Sequence, residues 1–178
     1  MTPREVEEYR ALRATIRERG TARVWIFVAG LAAWAASAIA TTALAAPPLA
    51  TLLPLLVLAA GFEALVNVHI GVERIGRYVQ VFFEDGHEPS ESSRVSPGWE
   101  HVAMAYGTPG MGTFIAYFVL ATVLNFLPVL LAEPVPVEVI VIGALHLVVI
   151  ARVLVARHHA RRQRATDLER FQRIKQGT

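Results

Sequence analysis

Four apolar runs leave this chain few folds to choose from. Val24–Ala45, Leu49–Ile70, Met111–Ala132 and Val137–Ala156 each reach the roughly 20 residues that a helix needs to cross a hydrocarbon core of about 30 Å. A backbone in lipid must satisfy its own hydrogen bonds, and runs of this length do so as helices. Ala46-Pro47-Pro48 separates the first run from the second, and Glu133-Pro134-Val135-Pro136 the third from the fourth. Such short connectors predict two transmembrane hairpins, with proline at the helix ends. The composition agrees: 54% apolar and 18% charged residues, with a mean hydropathy of +0.43, suit a membrane protein better than a soluble domain of 178 residues. The expectation is an all-α, polytopic membrane protein forming one domain over residues 1–178. With no cysteine in the chain, disulfides and thiolate metal sites are excluded.

The basic residues set the threading. Six arginines lie between Arg4 and Arg23, three between Arg74 and Arg94, and the remaining eight of the seventeen basic residues from Arg152 to Lys175. The two tight turns carry none, and the second has Glu133 with Glu138 just beyond it. Positive-inside bias therefore predicts that both termini and the central loop are cytoplasmic. The expected location is the cytoplasmic (inner) membrane of a prokaryote. The charged N-terminus is unlike a cleavable signal peptide, so the first span is expected to act as an uncleaved anchor.

Outside the spans, Thr2-Pro3-Arg4-Glu5 has the form of a capping box with proline at the first helical position. Val6, Tyr9, Leu12 and Ile16 then recur at helical spacing, predicting an amphipathic helix over residues 3–19 that ends near Gly20. The second span is expected to continue to about Glu84. Residues 85–108 read as a polar cytoplasmic loop with a short interfacial helix at Trp99–Gly107. GTPGMG, Gly107 to Gly112, reads as a helix start and not as a phosphate cradle. The fourth span is expected to run on into a basic tail over 157–178, where Leu168, Phe171 and Ile174 make a weak apolar edge.

The polar residues within the spans carry the functional question, because an ionisable group in a membrane is a candidate site by default. At about 1.5 Å per residue, Glu63 and Arg152 lie roughly 21 and 23 Å from the outer ends of their helices. They are therefore candidates for an ion pair. Ser37, Asn125 and His146, at roughly 10 to 14 Å, form a second candidate layer. Glu63, Asn67, Ile70, Arg74, Arg77, Val81 and Glu84 follow steps of three and four. This stripe is expected to face the bundle interior or a wet vestibule. Arg74 and Arg77 also suit headgroup anchoring, and Glu73 is one turn from Arg77. Ala29, Ala33, Ser37 and Thr41 lie four apart on the first span, with Ala32, Ala36 and Ala40 as a second row. Such small rows let helices pack closely.

Three functions fit these residues. One is a non-enzymatic assembly or accessory subunit, pairing with copies of itself or with a partner membrane protein. Another is a small channel or proton-coupled carrier with Glu63 in its path. The third is a metal-dependent membrane enzyme with a cytoplasmic-boundary site built from His69 and Glu73 with His158 or His159. His69 and His146 differ too much in depth to share a haem, and no cofactor is predicted. The arginine-rich tail suits anionic lipid headgroups. With no folded basic domain, nucleic acid is not an expected partner.

Overall fold

A computed structural model describes residues 1–84, 102 and 109–177. These are helical almost throughout: α1 (Pro3–Ala43), a 3-10 turn (Pro48–Thr51), α2 (Leu52–Val79) with a π-helical turn (Gln80–Glu84), α3 (Pro109–Leu131) and α4 (Pro136–Gln176). All four α-helices are long and apolar enough to span a membrane. The described residues are thus all-α with four candidate membrane spans, as suits a membrane protein. The loop and the interfacial helix expected within 85–108 lie, Val102 apart, outside the described residues.

The helix ends follow local chemistry. At the start of α1, Thr2 N–H donates to Glu5 Oε2 at 2.6 Å and Glu5 N–H donates to Thr2 Oγ1 at 3.3 Å. This is the reciprocal pair of a capping box. α4 opens with half of such a box, Val135 N–H donating to Glu138 Oε2 at 3.1 Å. α3 begins at Pro109, inside GTPGMG.

The end of α1 departs from the usual glycine stop. Ala45 has φ +47°, in the left-handed region. Ala46 N–H donates to Thr41 O and Ala45 N–H to Thr42 O, both at 3.1 Å. That pair of bonds is a Schellman cap with alanine where glycine is preferred. Glu133, after α3, also has a positive φ, +49°, and Pro134 behind it has no N–H to donate.

The helix expected at residues 3–19 does not stop near Gly20. α1 runs unbroken through it to Ala43. A lone glycine costs a helix only about 1 kcal/mol, and neither a proline nor a left-handed residue follows it here. Gly20 is thus an interior position and not a C-cap.

The chain divides into two compact units, to each of which α1, α2 and α4 contribute segments. One unit holds residues 23–67 and 110–158, the apolar spans. Its core comprises Leu55, Leu58, Phe62, Leu65, Phe118, Val129, Ile142 and Val153. Phe118 stacks edge-on against Phe62, with centroids 5.2 Å apart, and against Phe27, at 6.0 Å. Gly30 of α1 and Gly61 of α2 bring the two backbones close together. A Cβ built on Gly61 meets the Gly30 Cα at 3.5 Å.

Within the chain, the row Ala29, Ala33, Ser37 and Thr41 is not the one that packs against a neighbouring helix. Ala29 and Ala33 are exposed, as are Ala32, Ala36 and Ala40, while Ser37 and Thr41 are half-buried. The inward side of α1 instead carries Phe27, Gly30 and Trp34. Bulk at Phe27 and Trp34 fills space toward α3, and the missing side chain at Gly30 admits α2.

The other unit holds residues 1–22, 68–109 and 159–178. Its described part is held by aromatic contacts. Tyr78 meets Phe82 at 4.7 Å and Phe171 at 5.7 Å, and Tyr9 meets Phe83 at 5.6 Å. Phe171 is thus committed within the chain, whereas Ile174 on the same edge stays exposed. Lys175 Nζ donates to the Val81 carbonyl at 2.6 Å.

Candidate functional site

In the span unit, Asn125 organises the interior polar groups. It lies on α3 and is almost fully buried. Trp34 Nε1–H donates to its Oδ1 at 3.1 Å. Its Nδ2 donates to the Thr51 carbonyl at 2.9 Å and lies 3.0 Å from His146 Nε2. His146 Nδ1 is 2.8 Å from the Ile142 carbonyl. A carbonyl only accepts, so Nδ1 carries the proton, and Nε2 accepts from Asn125. Asn125 and His146 are therefore joined, and four helical elements meet at one carboxamide.

Ser37 stands apart from this group. Its hydroxyl donates to the Trp34 carbonyl of its own helix at 2.9 Å. A serine in a helix finds its own backbone nearer than a neighbouring helix. Trp34 takes the place expected of Ser37. An indole N–H within an apolar span needs an acceptor, and that need is the sequence signal that points to it. Beside the 3-10 turn, a cavity of about 310 Å³ is lined by Thr41, Thr42, Pro47, Thr51 and Pro128, among others.

Glu63 and Arg152 also meet. Arg152 Nη2 donates to Glu63 Oε2 at 2.8 Å, and their side chains keep 40% and 48% exposure for Glu63 and Arg152 respectively. The pair lies on the outside of the unit, not in an interior path. Asn67, one turn beyond Glu63, is exposed too, and no hydrogen bond joins it to another described residue.

The stripe expected to face inward is thus split. Glu63, Asn67 and Arg74 are exposed or half-exposed, Arg77 and Val81 are buried, and Ile70 and Glu84 are intermediate. The physical reason is geometric. Glu63, Ile70, Arg77 and Glu84 repeat every seven residues, and a straight helix drifts by about 20° per heptad against such a repeat. Over three heptads the stripe rotates about 60° around α2.

In the other unit, Glu73 is the centre of an ionic cluster. Arg77 donates to Glu73 Oε2, and Arg164 reaches the same oxygen from α4 at 2.7 Å through Nη2. Arg77 is 3% exposed, so it is not a headgroup anchor. A guanidinium this well buried requires a paired carboxylate. Burial by itself would raise the Glu73 carboxyl, but Arg164 and Arg77, with His69 nearby, hold it below its ordinary value of 4.5. Arg74 Nε pairs with Asp167 Oδ2 at 3.3 Å. Gly71 makes room for Arg19, whose Nη1 would lie 2.8 Å from a Cβ at that position.

The set His69, Glu73, His158 and His159 does not come together as a three-ligand centre. His69 is buried, whereas His158 and His159 are exposed on α4. Among the described residues no group of three His, Asp or Glu side chains is placed to hold a metal ion. Glu73 is instead taken up by two guanidinium groups, whose positive charge competes with a cation at its carboxylate. Arg164 and Asp167 were legible in the sequence only as parts of a basic tail. Their i, i+3 spacing places both on the side of α4 that meets α2.

No model of a known protein family, no characterised protein and no solved structure matches the chain.

Proposed function

We propose that this is a small, non-enzymatic integral membrane subunit that assembles with copies of itself or a partner membrane protein. On this reading the four helices cross the cytoplasmic membrane as two hairpins, with both termini and the 85–108 loop cytoplasmic. The basic tail lies against anionic headgroups. The distribution of all seventeen basic residues away from the two tight turns supports that threading.

One observation carries the assembly reading. Two sets of polar side chains stand out in the span unit: Asn125 bonds His146 and Trp34 inside, while Glu63, Arg152 and Asn67 turn outward. Polar groups on the outward side of a lipid-embedded bundle suit a protein partner better than acyl chains, which offer no hydrogen bonds. A transport path through Glu63 would instead need the carboxylate enclosed.

The test is mass measurement of the purified protein in detergent, paired with proton flux in proteoliposomes. A dimer or larger assembly without flux supports the proposal. A monomer that conducts protons, with conduction lost in Glu63→Gln, replaces it with the carrier reading.

A further inference from the structure

The outward face of α2 within the span unit has a definite composition. Leu53, Leu56, Ala60, Ala64 and Asn67 are all exposed and follow one another in steps of three and four. They form a single stripe along the helix. Ala60 and Ala64 are one turn apart, the small-xxx-small spacing that lets two membrane helices approach backbone to backbone. The same chain already uses small residues this way at Gly30 and Gly61. The next turn of the stripe carries the Asn67 carboxamide, and the Glu63–Arg152 pair lies beside it, with both side chains partly exposed.

We infer that this α2 face seats the same face of a second copy of the chain, across a two-fold axis, with Asn67 opposite its counterpart. The inference rests on the assembly proposal and names its partner and surface. Three features point to a second copy and not to an unrelated helix. A carboxamide both donates and accepts, so two related by a two-fold satisfy each other. The Glu63–Arg152 pair carries one charge of each sign, so its two-fold copy presents the complementary charge to each group. Arg152 has five N–H donors, enough to hold its own Glu63 and reach a second carboxylate. Ala60 and Ala64 give the close approach that such short polar contacts require.

The absence of cysteine in the chain makes a direct test possible. Ala60→Cys and Ala64→Cys place one thiol each on the proposed face. Ala32→Cys places one on the exposed side of α1. Each full-length variant is oxidised in nanodiscs and its disulfide-linked dimer measured, alongside the native mass of the unmodified protein. The expected result is a dimer at Ala60→Cys or Ala64→Cys and none at Ala32→Cys. Adding Asn67→Leu to the linking variant should weaken dimerisation roughly eightfold, for two symmetric hydrogen bonds of ordinary interhelical strength. Cross-linking at Ala32→Cys alone, or a native dimer that cross-links at neither α2 position, overturns this face and leaves self-assembly standing. A monomeric native mass overturns pairing with a second copy altogether. Dimerisation unchanged by Asn67→Leu overturns the role given to the carboxamide.

Discussion

Replacing Asn125 with leucine tests how the interior of the span unit is held. Leucine has the same number and branching of side-chain heavy atoms and is somewhat bulkier, so the substitution removes polar bonds without opening a cavity. Three bonds are lost, at 3.1 Å to Trp34, 2.9 Å to Thr51 and 3.0 Å to His146. Interhelical hydrogen bonds in membrane proteins average about 0.6 kcal/mol, which totals about 2 kcal/mol here. The stranded indole N–H, carbonyl and imidazole nitrogen push the cost upward, since each unsatisfied buried group is worth about 1 to 3 kcal/mol. A loss of 2 kcal/mol lowers the folded-to-unfolded ratio about 30-fold. Unfolding in mixed micelles of rising SDS content, followed by circular dichroism, reads this directly. Trp34→Phe removes one bond and should cost about 0.6 kcal/mol. Because both residues belong to one network, the double variant should cost less than the sum of the two single changes. Stability of Asn125→Leu within about 0.5 kcal/mol of the parent, or strict additivity with Trp34→Phe, would refute the network as a structural element.

Other perturbations follow from the same geometry. Ala45→Gly should stabilise the protein by up to about 1 kcal/mol in the same unfolding assay, because it relieves the left-handed alanine in the α1 cap. A destabilised Ala45→Gly would count against the Schellman geometry. Gly61→Ala should be neutral or stabilising, since its Cβ meets Gly30 at ordinary contact distance. Gly61→Leu should cost about 1 to 3 kcal/mol by overpacking. Equal stabilities for the two would show that α1 and α2 do not approach there. Glu73 has a depressed folded pKa, so the stability it contributes is present above the ordinary 4.5 and is lost as pH falls through the depressed value. The stability gap between the parent and Glu73→Gln, measured against pH, should be open at neutral pH and close below 4.5; a gap that persists unchanged at low pH would rule out the carboxylate as its source.

The four candidate spans and, Gly20 apart, the approximate helix ends can be read from the sequence alone. Span length is set by bilayer thickness, and a run of twenty apolar residues satisfies it with no knowledge of its neighbours. The Thr2–Glu5 capping box is local in the same sense, since its partners are three residues apart. The Glu63–Arg152 and Asn125–His146 contacts follow from depth, which rises by a constant amount per residue along any helix.

Rotation about the helix axis is different, because it depends on which neighbours fill the space on each side. The sequence places Glu63, Asn67, Arg77 and Glu84 on one stripe, yet only packing decides that Asn67 faces out while Arg77 is buried between Glu73 and its surroundings. Ala29 and Ala33 have the spacing of a packing row, but Phe27 and Trp34 fill the side toward α3 and Gly30 receives α2. Gly20 looks like a stop, but a single glycine is too weak a breaker to end α1. What the sequence by itself determined are span lengths, depths and the Thr2–Glu5 cap, all set by the chain and its solvent. Tertiary structure alone decided which side of each helix is inside, because that choice minimises the free energy of all four helices packed together and of none taken singly.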